Sequence, residues 1–467
     1  MDSKKISLDR REFMKRIGLG GAVAGLALSG CNKAAERVTG GAHVAAVDVP
    51  DDMMTFRTNH NTGDRVSLLG YGMMRLPTVN GQSGRESDSG IDQDAVNELV
   101  DYALAHGVNY FDTSPMYCKG KSEEATGIAL SRHPRDSYFI ATKLSNFAPS
   151  TWPLRESVKM FETSLRLLRT DYVDYLLLHA VGGGGIPTLN DRFIDNGLLD
   201  FLIKERGEGG RIRNLGFSFH GDVEVFDHLL AMHDAGDVHW DFVQIQHNYV
   251  DWHNREGNAK RSEYLYGELE KRHIPAVVME PLLGGRLSHL PDHLAGTLRE
   301  RRPDRSLASW AFRFAGTHPG ILTVLSGMTY MEHLQDNIVT YSPLEPCSSE
   351  EMALLDHTAV LLDRYPLVPC TKCQYCMPCP YGLDIPAIFA HYNKCVNEGN
   401  VTESANDPGY AEARRAFLIG YDRAVPKLRQ ASHCTGCGEC EPHCPQSIRI
   451  PSRLSQIDRY VESLKQN

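Results

Sequence analysis

The chain has 467 residues, 42% of them hydrophobic and 23% charged, enough to bury a full barrel core with room for a second domain. A net charge of -10, without basic patches, excludes nucleic acid as a partner. No internal run is long and apolar enough for a membrane span.

The amino terminus is not fold. Asp9-Arg10-Arg11-Glu12-Phe13-Met14-Lys15 resembles a twin-arginine export signal, with the apolar run 17–27 as its hydrophobic region. Leu28-Ser29-Gly30-Cys31 resembles a lipobox, which implies Cys31 as a lipidated first residue of the mature protein. Residues 1–31 therefore read as a signal and 32–53 as a polar tether. The implied location is periplasmic or membrane-anchored at the cell envelope, with membrane contact only through the lipid. Gly18-Leu19-Gly20-Gly21 follows no strand and lacks a third glycine, so it is not a dinucleotide fingerprint.

A hairpin around Asn61-Thr62-Gly63-Asp64 is expected to plug the floor of a barrel. Three short apolar runs then each lead to an ionisable residue. The run through Tyr110-Phe111 reaches Asp112 and, after a polar turn, Tyr117; Phe139-Ile140-Ala141-Thr142 closes on Lys143; Val173 to Leu178 closes on His179. Helical periodicity over 95–106, 123–131 and 154–168 separates these runs. Parallel strands that deliver functional groups at their C-terminal ends define an α/β barrel. A tyrosine is a poor acid near neutrality, and an adjacent ammonium is expected to lower its pKa. A carboxylate would hold that ammonium, and an imidazole would orient a carbonyl.

With Gly70-Tyr71-Gly72-Met73-Met74-Arg75-Leu76-Pro77, these residues resemble the aldo-keto reductases over about 69–337. The resemblance implies a (β/α)8 TIM barrel over 54–345 and a catalytic tetrad of Asp112, Tyr117, Lys143 and His179. It also implies nicotinamide contacts at Ser218 and Gln244, a pyrophosphate loop containing Leu282 and Gly284, and phosphate and adenine contacts at Gly327 and Asn337. Met279 stands where an aromatic residue usually stacks on nicotinamide. The cation expected on a 2′-phosphate is missing, so NADP and NAD both remain open. The Gly-rich stretch 181–186 is expected to be a flexible loop over the mouth.

Eight of twelve cysteines fall into two runs over 346–467. Cys370, Cys373, Cys376 and Cys379 form the first, and Cys434, Cys437, Cys440 and Cys444 the second. The second has the spacing of bacterial ferredoxins, in which the fourth cysteine reaches the other cluster. This pairs Cys370, Cys373 and Cys376 with Cys444, and Cys434, Cys437 and Cys440 with Cys379. The first run is one residue short before its Cys-Pro, so one or two [4Fe–4S] clusters are open. Zinc and disulfides fit triplets at this spacing poorly. Helices are expected over 385–392, 412–418 and 454–464, giving a smaller, mostly helical iron–sulfur domain. Cys118, after the phenol, reads as a buried thiol.

The leading expectation is an oxidoreductase moving hydride between nicotinamide and a small carbonyl or alcohol. A cluster passes one electron and a hydride carries two, and no flavin motif bridges the two. The alternative is an oxidoreductase whose clusters exchange electrons with a membrane partner, without soluble NAD(P)H. A scaffold with structural clusters is the third, and the complete tetrad argues against it.

Overall fold

The computed structural model describes residues 53–85, 87–252, 262–363, 366–402 and 404–466. The expected export signal, the tether to residue 52 and Cys31 lie outside the described residues. Strands β1 (Phe56–Thr58) and β2 (Arg65–Ser67) pair antiparallel. Eight more follow: β3 (Leu69–Gly72), β4 (Tyr110–Asp112), β5 (Phe139–Leu144), β6 (Val173–Gly182), β7 (Ile212–His220), β8 (Phe242–Gln246), β9 (Ala276–Met279) and β10 (Ile321–Ser326). These eight close into a barrel in chain order, every pair parallel, with β10 beside β3. The protein has an eight-stranded (β/α)8 barrel.

Both faces of each strand are buried, which is why the strands read as continuous apolar runs. Tyr110, Ala141, Tyr175, Leu177, Phe242 and Val277 fill the inside. Phe111, Ile140, Leu176, Leu178, Val243 and Val278 face the helices. The hairpin turn seals the floor as its sequence predicts. Asn59 Nδ2 donates to Asn214 Oδ1 at 3.1 Å, and the Tyr175 hydroxyl donates to Asp64 at 3.0 Å.

Helix Gln93–Ala105 starts at Asp92, whose side chain accepts from Ala95 N–H, and Ser122–Leu130 and Leu154–Leu168 follow near their expected limits. Ser349–Asp363 packs Leu355, Ala359 and Leu362 against the barrel helices through Leu298 and Trp310. Ile385–Asn397, Tyr410–Ala424 and Ile450–Gln466 surround a separate apolar core that includes Ile388, Phe389, Phe417 and Ile457. Among the described residues no helix is long and apolar enough to cross a membrane.

The stretch 181–186 is not a free loop. β6 runs to Gly182, paired with His220, and a helix begins at Gly185. Gly182 has φ +116°, and a Cβ there would lie 2.6 Å from the His220 carbonyl oxygen. Glycine is used here for close approach between strands rather than for flexibility. Gly182→Ala is expected to cost about 2 kcal/mol through strain at this φ, seen as a lower thermal unfolding midpoint.

Candidate active site at the barrel mouth

The closed register sets the C-terminal ends of β4, β5 and β6 side by side, with Asp112 opposite Ala141 and Lys143 opposite Leu177. Lys143 Nζ donates to Asp112 Oδ1 at 2.5 Å and to the Thr113 carbonyl at 2.8 Å. An ammonium has three donors, and Nζ lies 4.6 Å from the centre of the Tyr117 ring. The Tyr117 and His179 rings meet edge to face at 6.0 Å. All four expected residues are thus brought together. Tyr117 is half-buried, while Asp112, Lys143 and His179 are buried.

Burial dominates the electrostatics. It pushes the Asp112 carboxyl up, an effect Lys143 opposes. It raises the Tyr117 phenol well above the usual tyrosine range, and the Asp112 charge adds to that. The expected lowering of this pKa by lysine is not the net result, because desolvation of the phenolate dominates, and the charge that opposes it is that of Arg85. Tyr117 therefore holds its proton at neutral pH. His179 is driven well below the normal histidine range by burial, then by Lys143, and is a neutral imidazole. Its Nδ1 faces Ser145 Oγ at 2.6 Å, which leaves Nε2 toward the mouth.

The other expected positions divide. Ser218 and Gln244 are register partners on β7 and β8. Ser218 Oγ accepts from the Ala180 N–H at 2.8 Å, while the buried Oε1 of Gln244 has no hydrogen-bond partner among the described residues. Asn337 donates to Ser326 Oγ at 2.9 Å. Gly327 lies under Arg75, whose Cδ would be 3.0 Å from an added Cβ. Leu282 is half-buried, and its carbonyl accepts from Gly285 N–H at 3.0 Å. Gly284, at φ +70°, faces the cysteine-rich segment: a Cβ would sit 2.5 Å from Thr371 Cα.

Cys370, Cys373, Cys376 and Cys444 line one small cavity with Ile385, Phe389, Ile448 and Ile450. Four thiols in an apolar wall suit a cluster, and Lys372 N–H points to Cys370 Sγ at 3.4 Å, the kind of amide contact that tunes cluster sulfurs. Among the described residues no three ligands are set to hold a single metal ion; a cubane binds each cysteine at a separate corner. Cys440 neighbours Cys437 and Cys434, and Cys379 joins the same apolar core. Cys118 is buried, its Sγ near the Met74 carbonyl at 3.4 Å, and burial raises its pKa to about 11.

Sequence reasoning missed the residues that tie the cysteine runs to the barrel. Arg85 Nε donates to the Lys372 carbonyl and Gln374 Nε2 to the Arg85 carbonyl, each at 2.8 Å. Gln446 donates to Gln246 at 3.0 Å. Tyr375 reaches the tetrad, its hydroxyl 3.4 Å from His179 Nε2. Glu280 at the mouth accepts from Gly284 N–H at 2.5 Å; burial raises its pKa, and Arg75 and Arg85 oppose this. One signal was available. Lys372 and Gln374 adopt φ of +56° and +61° where the second run carries Gly436 and Gly438, a left-handed backbone costing non-glycine residues about 1–2 kcal/mol each.

Among known proteins, the model of the Aldo/keto reductase family matches residues 68–359. The chain belongs to this family. A 4Fe-4S dicluster domain matches residues 369–449. This aldo/keto reductase is 24% identical over 324 residues to the oxidoreductase YqkF of Bacillus subtilis, covering 63% of this chain and 93% of that one. It is 24% identical over 317 residues to the L-galactose dehydrogenase of Arabidopsis thaliana, covering 64% and 92%. Among solved structures, an aldo-keto reductase from Klebsiella pneumoniae in complex with NADPH aligns with TM-score 0.50 at 22% identity, over 65% of this chain and 95% of that one. The protein is an oxidoreductase of this family with a C-terminal iron–sulfur domain.

The ion pair gives a direct test. Lys143→Met leaves the Asp112 carboxyl buried without its partner and is expected to cost about 3–5 kcal/mol. Adding Asp112→Asn should recover part of that loss in denaturant unfolding.

Proposed function

We propose that this protein interconverts a small carbonyl compound and its alcohol, with the tetrad managing the proton at the substrate oxygen. The observation that carries this is a protonated, half-buried Tyr117 between a pinned ammonium and a neutral imidazole. His179 Nε2 orients the oxygen, Tyr117 donates its proton as the oxygen gains charge, and Lys143 stabilises the resulting phenolate. Asp112 and the Thr113 carbonyl fix the ammonium in place.

Nicotinamide, when bound, supplies or accepts hydride in this family's chemistry. Ser218 and Gln244 would hold its carboxamide, and the unpartnered Oε1 of Gln244 suits an amide donor. The loop end fits less well, because Thr371 lies against Gly284 where Leu282, Gly284, Gly327 and Asn337 would hold the rest of a dinucleotide. That contact favours a second reading, in which redox equivalents pass through two [4Fe–4S] clusters to or from a one-electron partner.

Two experiments test these statements. Tyr117→Phe should lower carbonyl reduction about 10²- to 10⁴-fold across a panel that includes L-galactose; equal rates in parent and variant would remove the assignment. Because the His179 pKa is lowered and the Tyr117 pKa raised, protonation of neither changes near neutrality. The parent rate should stay flat from about pH 6 to 8 and fall only in acid as the imidazole gains a proton. Turnover with a reduced viologen dye but not with NADH or NADPH selects the cluster-linked reading; the reverse selects nicotinamide.

We also propose export by the twin-arginine route and lipidation at Cys31, supported by the motifs around Arg10, Arg11 and Cys31. Replacing both arginines with lysine should retain the protein in the cytoplasmic fraction.

A further inference from the structure

Tyr375 is the second residue after Cys373 and the one before Cys376, inside the first cysteine run, yet its ring lies in the barrel mouth. It packs beside Phe147, His179 and His220, with ring centres 6.0, 6.4 and 6.3 Å away. Since Ser145 occupies Nδ1 of His179, only Nε2 faces the mouth, and the Tyr375 hydroxyl stands there. A substrate oxygen oriented by His179 must take that same position.

The loop is held from both sides. Arg85 donates to the Lys372 carbonyl and accepts from Gln374 Nε2, and Gly284 leaves no space above Thr371. The matching loop of the second run has Glu439 in place of Tyr375, and Thr435, Gly436, Cys437 and Glu439 are exposed. Two loops of the same design thus differ in one respect: the first carries side chains that fit the barrel. Its other end is tied to a cysteine, because the Lys372 backbone N–H, three residues earlier in the same loop, hydrogen-bonds the Cys370 sulfur at 3.4 Å.

We propose that Tyr375 completes the oxidoreductase site and links its occupancy to the first cysteine run: a ligand oxygen arriving at His179 Nε2 displaces the phenol, and with it the loop whose Lys372 amide bonds the Cys370 sulfur. This rests on the carbonyl–alcohol reading of the tetrad. Hydrogen bonds to the sulfurs help set the properties of an iron–sulfur centre, so a ligand in the barrel is felt at the cysteine wall without touching it.

The test uses anaerobically purified holoprotein and benzyl alcohol, an aryl alcohol suited to the aromatic mouth. Binding is measured by equilibrium dialysis and the clusters by visible circular dichroism. In the parent, saturating benzyl alcohol should change the cluster spectrum. Tyr375→Phe, which lacks the hydroxyl that competes for Nε2, should bind it roughly two- to tenfold tighter. Tyr375→Ala should bind it with no spectral change, and iron and sulfide content equal to the parent's shows that the variant is loaded. If that variant does not load, the tightening in Tyr375→Phe decides alone. The proposal is overturned if the parent spectrum stays fixed while the alcohol is bound, if Tyr375→Phe binds no tighter, or if neither protein binds it saturably. None of these readouts requires turnover, so they stand apart from the Tyr117→Phe result.

Discussion

The buried contact between Lys143 and Asp112 is the constraint on which the site depends. Two charges taken out of water are tolerated only when paired and hydrogen-bonded, and here the Thr113 carbonyl gives the ammonium a second acceptor. Because the partners sit at the ends of adjacent strands, the contact holds only while the barrel is closed. The geometry of the site is therefore a property of the whole ring of strands. Tyr117 follows β4 through a polar turn, and His179 lies toward the C-terminal end of β6, with Ser145 just past the end of the neighbouring β5. Each of these groups is placed by a strand and oriented by the strand beside it.

A second constraint comes from the other end of the chain. The first cysteine run lies against the mouth through main-chain as well as side-chain contacts, so it is positioned almost as firmly as a barrel loop. Left-handed backbone at Lys372 and Gln374 is retained because their carbonyl and side chain meet Arg85. The matching loop of the second run, with glycines at those positions, is largely exposed. One sequence pattern thus makes two surfaces, one turned toward the site and one turned outward.

Much of this was legible in the residues. Three apolar runs ending in Asp112, Lys143 and His179 announce parallel strands with functional tips, and the floor hairpin follows from its turn residues. The C-terminal helices Ile385–Asn397, Tyr410–Ala424 and Ile450–Gln466 are longer than their periodicity suggests, because they pack around a shared core that includes Phe389 and Phe417. Three things were not legible. The sign of the Tyr117 pKa shift depends on how much water is excluded, which no local pattern states. The glycines near residue 182 look like flexibility and serve close strand packing instead. The seat of Tyr375 joins residues about two hundred positions apart, and only comparison of the two cysteine runs with each other hints at it.

The position of the cysteine-rich segment also bears on how the molecule is assembled. The barrel's strands pair with sequence neighbours, apart from the final closure of β10 on β3, so the ring can form as the chain emerges. Its mouth stays open until the last hundred or so residues have been made and the first cysteine run has come to lie against it. Synthesis thus has a natural order, with the scaffold first and the wall that finishes its pocket last.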